Sequence, residues 1–170
     1  EPQVGGGISQ YATTLFNAAF YAGLEFVEYQ SHSLYISRYP RGREATISWP
    51  RPDLKIKNTT DYGILLWNSY TPTSITVTLY STKHLDVIDL PLRRSSNRQC
   101  RIDITPRLIT FPDGTTVEDS VYVSRRHPRL GIGRALQGQP ADLGADPELG
   151  QVVTEHLAPS GLGRGRRTPD

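Results

Sequence analysis

From Ile8 onward the apolar residues fall at Ile8, Ala12, Leu15, Phe16, Ala19, Phe20 and Gly23, three and four apart. At 3.6 residues per turn that spacing puts them on one side of an α-helix. Gly5-Gly6-Gly7 stops the helix from extending backwards, Ser9 is a residue type favoured at a cap or in a first turn, and Gly23 suits the far end. The opposite side carries Gln10, Thr14, Asn17 and Tyr21, with Thr13 alongside. A helix face turned to water would favour lysine and glutamate, whose long side chains lose little freedom there. Uncharged amides and hydroxyls instead predict a face covered by protein or turned into a cleft.

After Glu28 the period falls to two. Leu34 and Ile36, then Ala45, Ile47 and Trp49, then Leu54 and Ile56 read as half-buried strands. Ile64-Leu65-Leu66-Trp67 lacks alternation and predicts a central strand covered on both faces, followed by a strand in which Ile75, Val77 and Leu79 alternate with Thr76, Thr78 and Tyr80. Arg101 to Phe111 and Thr115 to Val123 predict a hairpin turning at Pro112-Asp113-Gly114, with Pro106 setting its first strand at a sheet edge. The result is an α+β fold: one N-terminal amphipathic helix packed on a mainly antiparallel β-sheet, with a C-terminal β-hairpin. From Arg129 to Asp170 the chain is rich in glycine and proline, lacks aromatic residues and keeps no apolar period, which predicts a disordered tail; only Glu148 to His156 carry a helical signal. The domain is expected over residues 1–128 and the tail over 129–170.

A chain of 170 residues suits one such domain with a tail. The formal charge is +2, and the basic residues are dispersed except at Arg93-Arg94, Arg125-Arg126 and the Arg164, Arg166, Arg167 group, too little for a nucleic-acid footprint. No apolar run approaches the ~20 residues that cross a bilayer, and no signal-peptide pattern is present. With no methionine and an opening of Glu1-Pro2-Gln3, the sequence is expected to be a fragment of a longer protein whose signal or anchor lies upstream. Cys100 is the single cysteine, so no internal disulfide forms, and its polar setting, Arg98-Gln99-Cys100-Arg101, reads as an incidental thiol. His84, His127 and His156 lack partners at ligand spacing; neither a metal site nor a cofactor is expected, and these histidines read as surface residues.

Gly5-Gly6-Gly7-Ile8-Ser9-Gln10, then Thr13-Thr14-Leu15-Phe16-Asn17-Ala18-Ala19 and Ala22-Gly23-Leu24, together resemble the signature of the VanW family. The likeness continues through His32-Ser33, Tyr39-Pro40, Gly42-Arg43-Glu44-Ala45-Thr46 and Leu54 to Tyr62. It covers residues 4 to 82 closely and the hairpin over 101–123 loosely. The resemblance implies a bacterial, extracytoplasmic protein of the cell envelope, in a family named from a glycopeptide-resistance cluster. Some members resemble cysteine L,D-transpeptidases, in which the residue between the glycine triplet and the glutamine is a cysteine that takes an acyl group from a peptidoglycan stem peptide. Here that residue is Ser9.

A nucleophile at a helix start lies beside unpaired N–H groups and the positive end of the helix dipole, which also suit the oxyanion of an acyl-transfer intermediate. For a thiol that is nearly enough, whereas a serine hydroxyl needs a general base within hydrogen-bond reach. His32 is the candidate base, with Glu28 or Glu44 to orient it. Gly6, Gly7, Gln10, Thr14, Asn17 and Ser33 are the candidate oxyanion or substrate contacts. Each has a plainer alternative: Ser9 as a helix cap, His32 held by backbone groups, and the Gln10, Thr14, Asn17 stripe bonded to neighbouring loops. Tyr35 and Tyr39 near Arg38, Arg41 and Arg43 form a further patch suited to glycan or carboxylate groups. Two functions therefore stand side by side: acyl transfer on stem peptides with Ser9 as nucleophile, and a non-catalytic envelope domain that binds peptidoglycan or a partner in the same cleft.

Overall fold

Gly7 turns into the left-handed region at φ 84°, a conformation that costs glycine nothing, and the helix α1 runs from Ile8 to Tyr21. It ends where Gly23 returns to positive φ, with the N–H groups of Ala22 and Leu24 donating to the carbonyl oxygens of Ala18 and Ala19. In this computed structural model the described residues are 7–96, 100–126 and 151–157. Gly6, the tail over 129–150 and 158–170, and His127 lie outside them.

The strands follow as β1 (Glu25–Glu28), β2 (Lys55–Lys57), β3 (Leu65–Thr71), β4 (Ser74–Ser81), β5 (Asp86–Asp89), β6 (Arg93–Ser96), β7 (Cys100–Thr110), β8 (Thr116–Arg126) and β9 (Gln151–Leu157). All pairings are antiparallel: β1 with β2, β4 between β3 and β9, and β7 with β8 along one side and β5 and β6 in turn along the other. The core gathers Phe16, Ala19 and Phe20 of α1 with Phe26, Tyr29, Val77, Leu79 and Val121. Phe16 stacks on Phe26 at 4.3 Å between ring centroids and meets Tyr29 edge-on at 5.2 Å. Each such aromatic side chain contributes about 1.5–3 kcal/mol by leaving water. The α+β class and the hairpin at Pro112-Asp113-Gly114 hold as read from the sequence.

Four local expectations do not. The run Leu65 to Trp67 is not a central strand: β3 pairs only with β4 among the described residues, and its side chains are exposed throughout. Conversely, Pro106 lies inside the sheet, in a strand paired on both sides. Its carbonyl accepts the Leu90 N–H at 3.0 Å, so its missing N–H faces the break between β5 and β6, where no ladder bond is needed.

The segments around Leu34 and around Ala45 to Trp49 form no strand; in the second, the polar backbone groups are spent elsewhere. The Ala45 N–H goes to the Thr13 hydroxyl, that of Thr46 to the Gln30 carbonyl and that of Ser48 to the Pro52 carbonyl. Within the expected tail, residues 151–157 form β9 against Ile75 to Ser81 rather than a helix over 148–156, in keeping with the β-branched Val152-Val153-Thr154.

Candidate functional site

Ser9 is the second residue of α1, half-buried, with its Oγ 3.1 Å from Thr46 Oγ1. It does not cap the helix: Gly7 holds the cap position, and among the described residues no side chain bonds the first-turn N–H groups. Those donors therefore remain on the side of α1 that Ser9 shares.

The polar face of α1 is covered by protein. Thr13 Oγ1 donates to the Ala45 carbonyl at 3.0 Å and accepts the Ala45 N–H at 3.3 Å. Asn17 Nδ2 donates to the carbonyls of Thr13 (2.8 Å) and Arg43 (3.1 Å), and Thr14 Oγ1 donates back to Gln10 O at 2.7 Å. Thr13, Thr14 and Asn17 are buried, and Gln10 is half-buried. Thr13 and Asn17 thus clamp residues 43–45 onto the helix, leaving Ser9, Gln10 and the exposed Gly7 at its open end.

His32 lies in the segment that crosses this clamp. Its backbone N–H donates to Glu44 Oε1 at 3.2 Å, its Nδ1 is 3.8 Å from the same oxygen, and its ring stacks on Tyr39 at 5.3 Å. Burial raises the Tyr39 phenol above its ordinary value. Of the two candidate orienting carboxylates, Glu44 is beside His32, whereas Glu28 pairs with Arg51 and Lys55 at the surface. Ser9 and His32 rest on one segment, through Thr46 and Glu44, but neither His32 ring nitrogen has a hydrogen-bond partner, so Ser9 is not bonded to it. Ser33 is exposed.

Beyond His32 the structure assembles charges that the chain pattern leaves scattered. Glu44 and Asp103 are each 1% exposed. Arg125 bridges them, with Nη2 on Glu44 Oε1 and Nη1 3.5 Å from Asp103 Oδ2. Arg41 Nε donates to Asp103 Oδ2 at 3.1 Å, and Arg94 Nε is 3.4 Å from Asp103 Oδ1. The only sequence signal for this cluster is polar alternation: Asp103, Thr105 and Arg107 share the buried face of β7 with Ile109. His84, expected at the surface, is buried instead, its ring 6.3 Å from that of Tyr62. Among the described residues no group of three or more His, Cys, Asp or Glu is placed to hold a metal, and no helix is long and apolar enough to cross a membrane.

Among the described residues, one helix docked by its polar face onto an irregular segment, above antiparallel sheets, defines an α+β domain, with the candidate site at the helix start. Residues 1–80 match the family described as "VanW like protein". The family is associated with the cell envelope. The chain is also similar to "Uncharacterized protein YoaR" of Bacillus subtilis (strain 168), 41% identical over 99 residues, which is 58% of this chain and 32% of that protein. The chain thus spans about a third of that relative's length. No solved structure matches.

Proposed function

We propose that this VanW-like domain binds peptidoglycan stem peptides in the cell envelope, at the open end of α1, without turning them over. One observation carries the reading. The Ser9 hydroxyl is engaged by Thr46 at 3.1 Å while both His32 ring nitrogens lack a hydrogen-bond partner, so the serine–base pair required for acyl transfer is not assembled. What remains at this end is a set of N–H groups with no side-chain cap among the described residues, with the half-buried Ser9, Gln10 and Thr46 beside them, suited to hydrogen-bonding peptide carbonyls.

A second reading has its own support. Ser9 stands where the helix dipole and first-turn donors meet, the place in which a thiol would be activated, and so acyl transfer of the L,D-transpeptidase kind with Ser9 as nucleophile and His32 as base is the alternative. Incubation of the protein, Ser9→Ala and Ser9→Cys with defined disaccharide tetrapeptides, read by protein and product masses, separates the two. Saturable binding without product in the starting protein and in Ser9→Ala is the expected result. An acyl adduct or cross-linked product that Ser9→Ala abolishes would make the domain an enzyme.

A further inference from the structure

We propose that Arg41, Arg94 and Arg125, with the ring of Tyr35, form a binding site for one carboxylate group. The reasoning starts from how many cations the buried acids need. Asp103 and Glu44 are buried, and a buried carboxylate demands partners. Arg125 already reaches both. Yet Arg41 and Arg94 converge on Asp103 as well, so three guanidiniums face two carboxylates and one positive charge is left over. Like charges held together oppose one another, and an arriving monoanion relieves that opposition.

Free donors lie on the outer side of the cluster. Arg41 donates its Nε–H to Asp103, Arg94 Nε lies 3.4 Å from the same carboxylate as an ion pair, and the terminal nitrogens of both have no hydrogen-bond or ion-pair partner among the described residues. Those side chains are 32% and 55% exposed, against 13% for Arg125. A guanidinium edge offers parallel N–H groups whose spacing fits the two oxygens of a carboxylate.

Tyr35 completes the arrangement. Its partly exposed ring has the Cζ of Arg41 at 5.7 Å and that of Arg125 at 5.6 Å, so two cations lie against one aromatic ring. Asp103 and Glu44 hydrogen-bond Arg41 and Arg125 from the inner side, and the Tyr35 ring lies against both guanidiniums. A preorganised cationic edge of this kind recognises a peptide C-terminus or an acidic side chain. The single surplus charge matches a carboxylate better than a phosphate. The site deepens the stem-peptide reading above and rests on it only for the source of the acid, since stem peptides carry free carboxylates.

The test is a titration of the whole chain, followed by the NMR signals of the Tyr35 ring and the arginine Nε–H groups. The probes are acetyl-alanyl-alanine, its C-terminal amide, inorganic phosphate and a disaccharide tetrapeptide. The acid peptide is expected to shift Tyr35 and Arg41 saturably, the amide to bind at least tenfold more weakly, and Arg41→Gln with Arg94→Gln to weaken the acid at least tenfold. Equal binding of acid and amide overturns the proposal, and the amide arm needs no variant to fold. Phosphate binding as tightly as the acid peptide overturns the carboxylate assignment. If the acid peptide binds here and the disaccharide tetrapeptide does not, the carboxylate site stands and the stem-peptide reading fails. If the tetrapeptide binds and leaves Tyr35 unmoved, the carboxylate site is overturned and the stem-peptide reading stands.

Discussion

Arg107 and Asp119 face each other across β7 and β8, with Nε and Nη2 of the arginine 2.8 and 2.6 Å from Oδ2 of the aspartate. The same guanidinium donates to the carbonyl oxygens of Phe20 and Leu24 and lies under the Phe20 ring, 4.8 Å from its centroid. A side chain from the hairpin thus satisfies carbonyl groups at the end of α1, bonds that the helix cannot make for itself. Burial pulls the guanidinium below its ordinary value, and Asp119 pulls it back.

Replacing Arg107 with methionine keeps most of the volume and strands a carboxylate and the Leu24 carbonyl, while the Phe20 carbonyl keeps the Gly23 N–H. The expected loss is about 3–5 kcal/mol. Adding Asp119→Leu to that variant removes the unpaired charge and recovers part of the loss. Urea unfolding of the two variants beside the starting protein measures both steps; a single variant within ~1 kcal/mol of the parent would contradict this account of the contact.

The Tyr29 hydroxyl accepts the backbone N–H of Tyr122 at 2.8 Å, and burial pushes its phenol up to about 12. The unfolded chain releases this proton near the ordinary value of about 10. Between those two values the native state holds a proton that the unfolded state has lost, so stability falls as pH rises through the window and is fully retained below it. The loss totals on the order of 2–3 kcal/mol by pH 12. Tyr29→Phe should show a flatter stability profile above pH 10 than the parent, together with a cost of about 1 kcal/mol at neutral pH for the orphaned Tyr122 N–H. Profiles that superimpose would refute the assignment.

Thr13→Val tests the clamp between α1 and the segment after Gly42. Valine keeps the shape but strands both the N–H and the carbonyl of Ala45, which share the Thr13 hydroxyl. A loss of about 1–3 kcal/mol is expected, with Thr13→Ser losing less because the hydroxyl returns. Thermal unfolding ranks the three proteins, and valine ranking with the parent would show that the clamp carries no stability.

Much of this architecture is legible in the chain. The helix shows in the spacing of Ala12, Phe16, Ala19 and Phe20, and the absence of charge at Thr13, Thr14 and Asn17 correctly marks a covered face. The reading is weaker at the strands. Leu65, Leu66 and Trp67 are as apolar as a core strand, yet they lie exposed on β3. A run of hydrophobic residues records composition, whereas burial depends on what packs against it. On β7 the inference reverses: Ile102, Ile104 and Leu108 are less buried than Asp103, Thr105 and Arg107 between them. A charged residue enters the interior only when its partner is delivered by another part of the chain, and that delivery leaves no mark in local periodicity.

The candidate site divides along the same line. Ser9 and His32 stand out from residue type and from the family likeness, and Glu44 is one of two carboxylates that the sequence offers to His32. That Ser9 turns to Thr46, that His32 lies on Glu44 without a hydrogen-bonded ring nitrogen, and that Arg41, Arg94 and Arg125 converge on Asp103 are consequences of docking alone. Periodicity, glycine placement and turn chemistry act over a few residues, so the sequence by itself determined α1, the Pro112-Asp113-Gly114 hairpin and the α+β class. Charge pairing and solvent exclusion act between residues as distant as Glu44 and Arg125, so only the tertiary structure decided which polar groups are buried, which are joined and which are left facing outward.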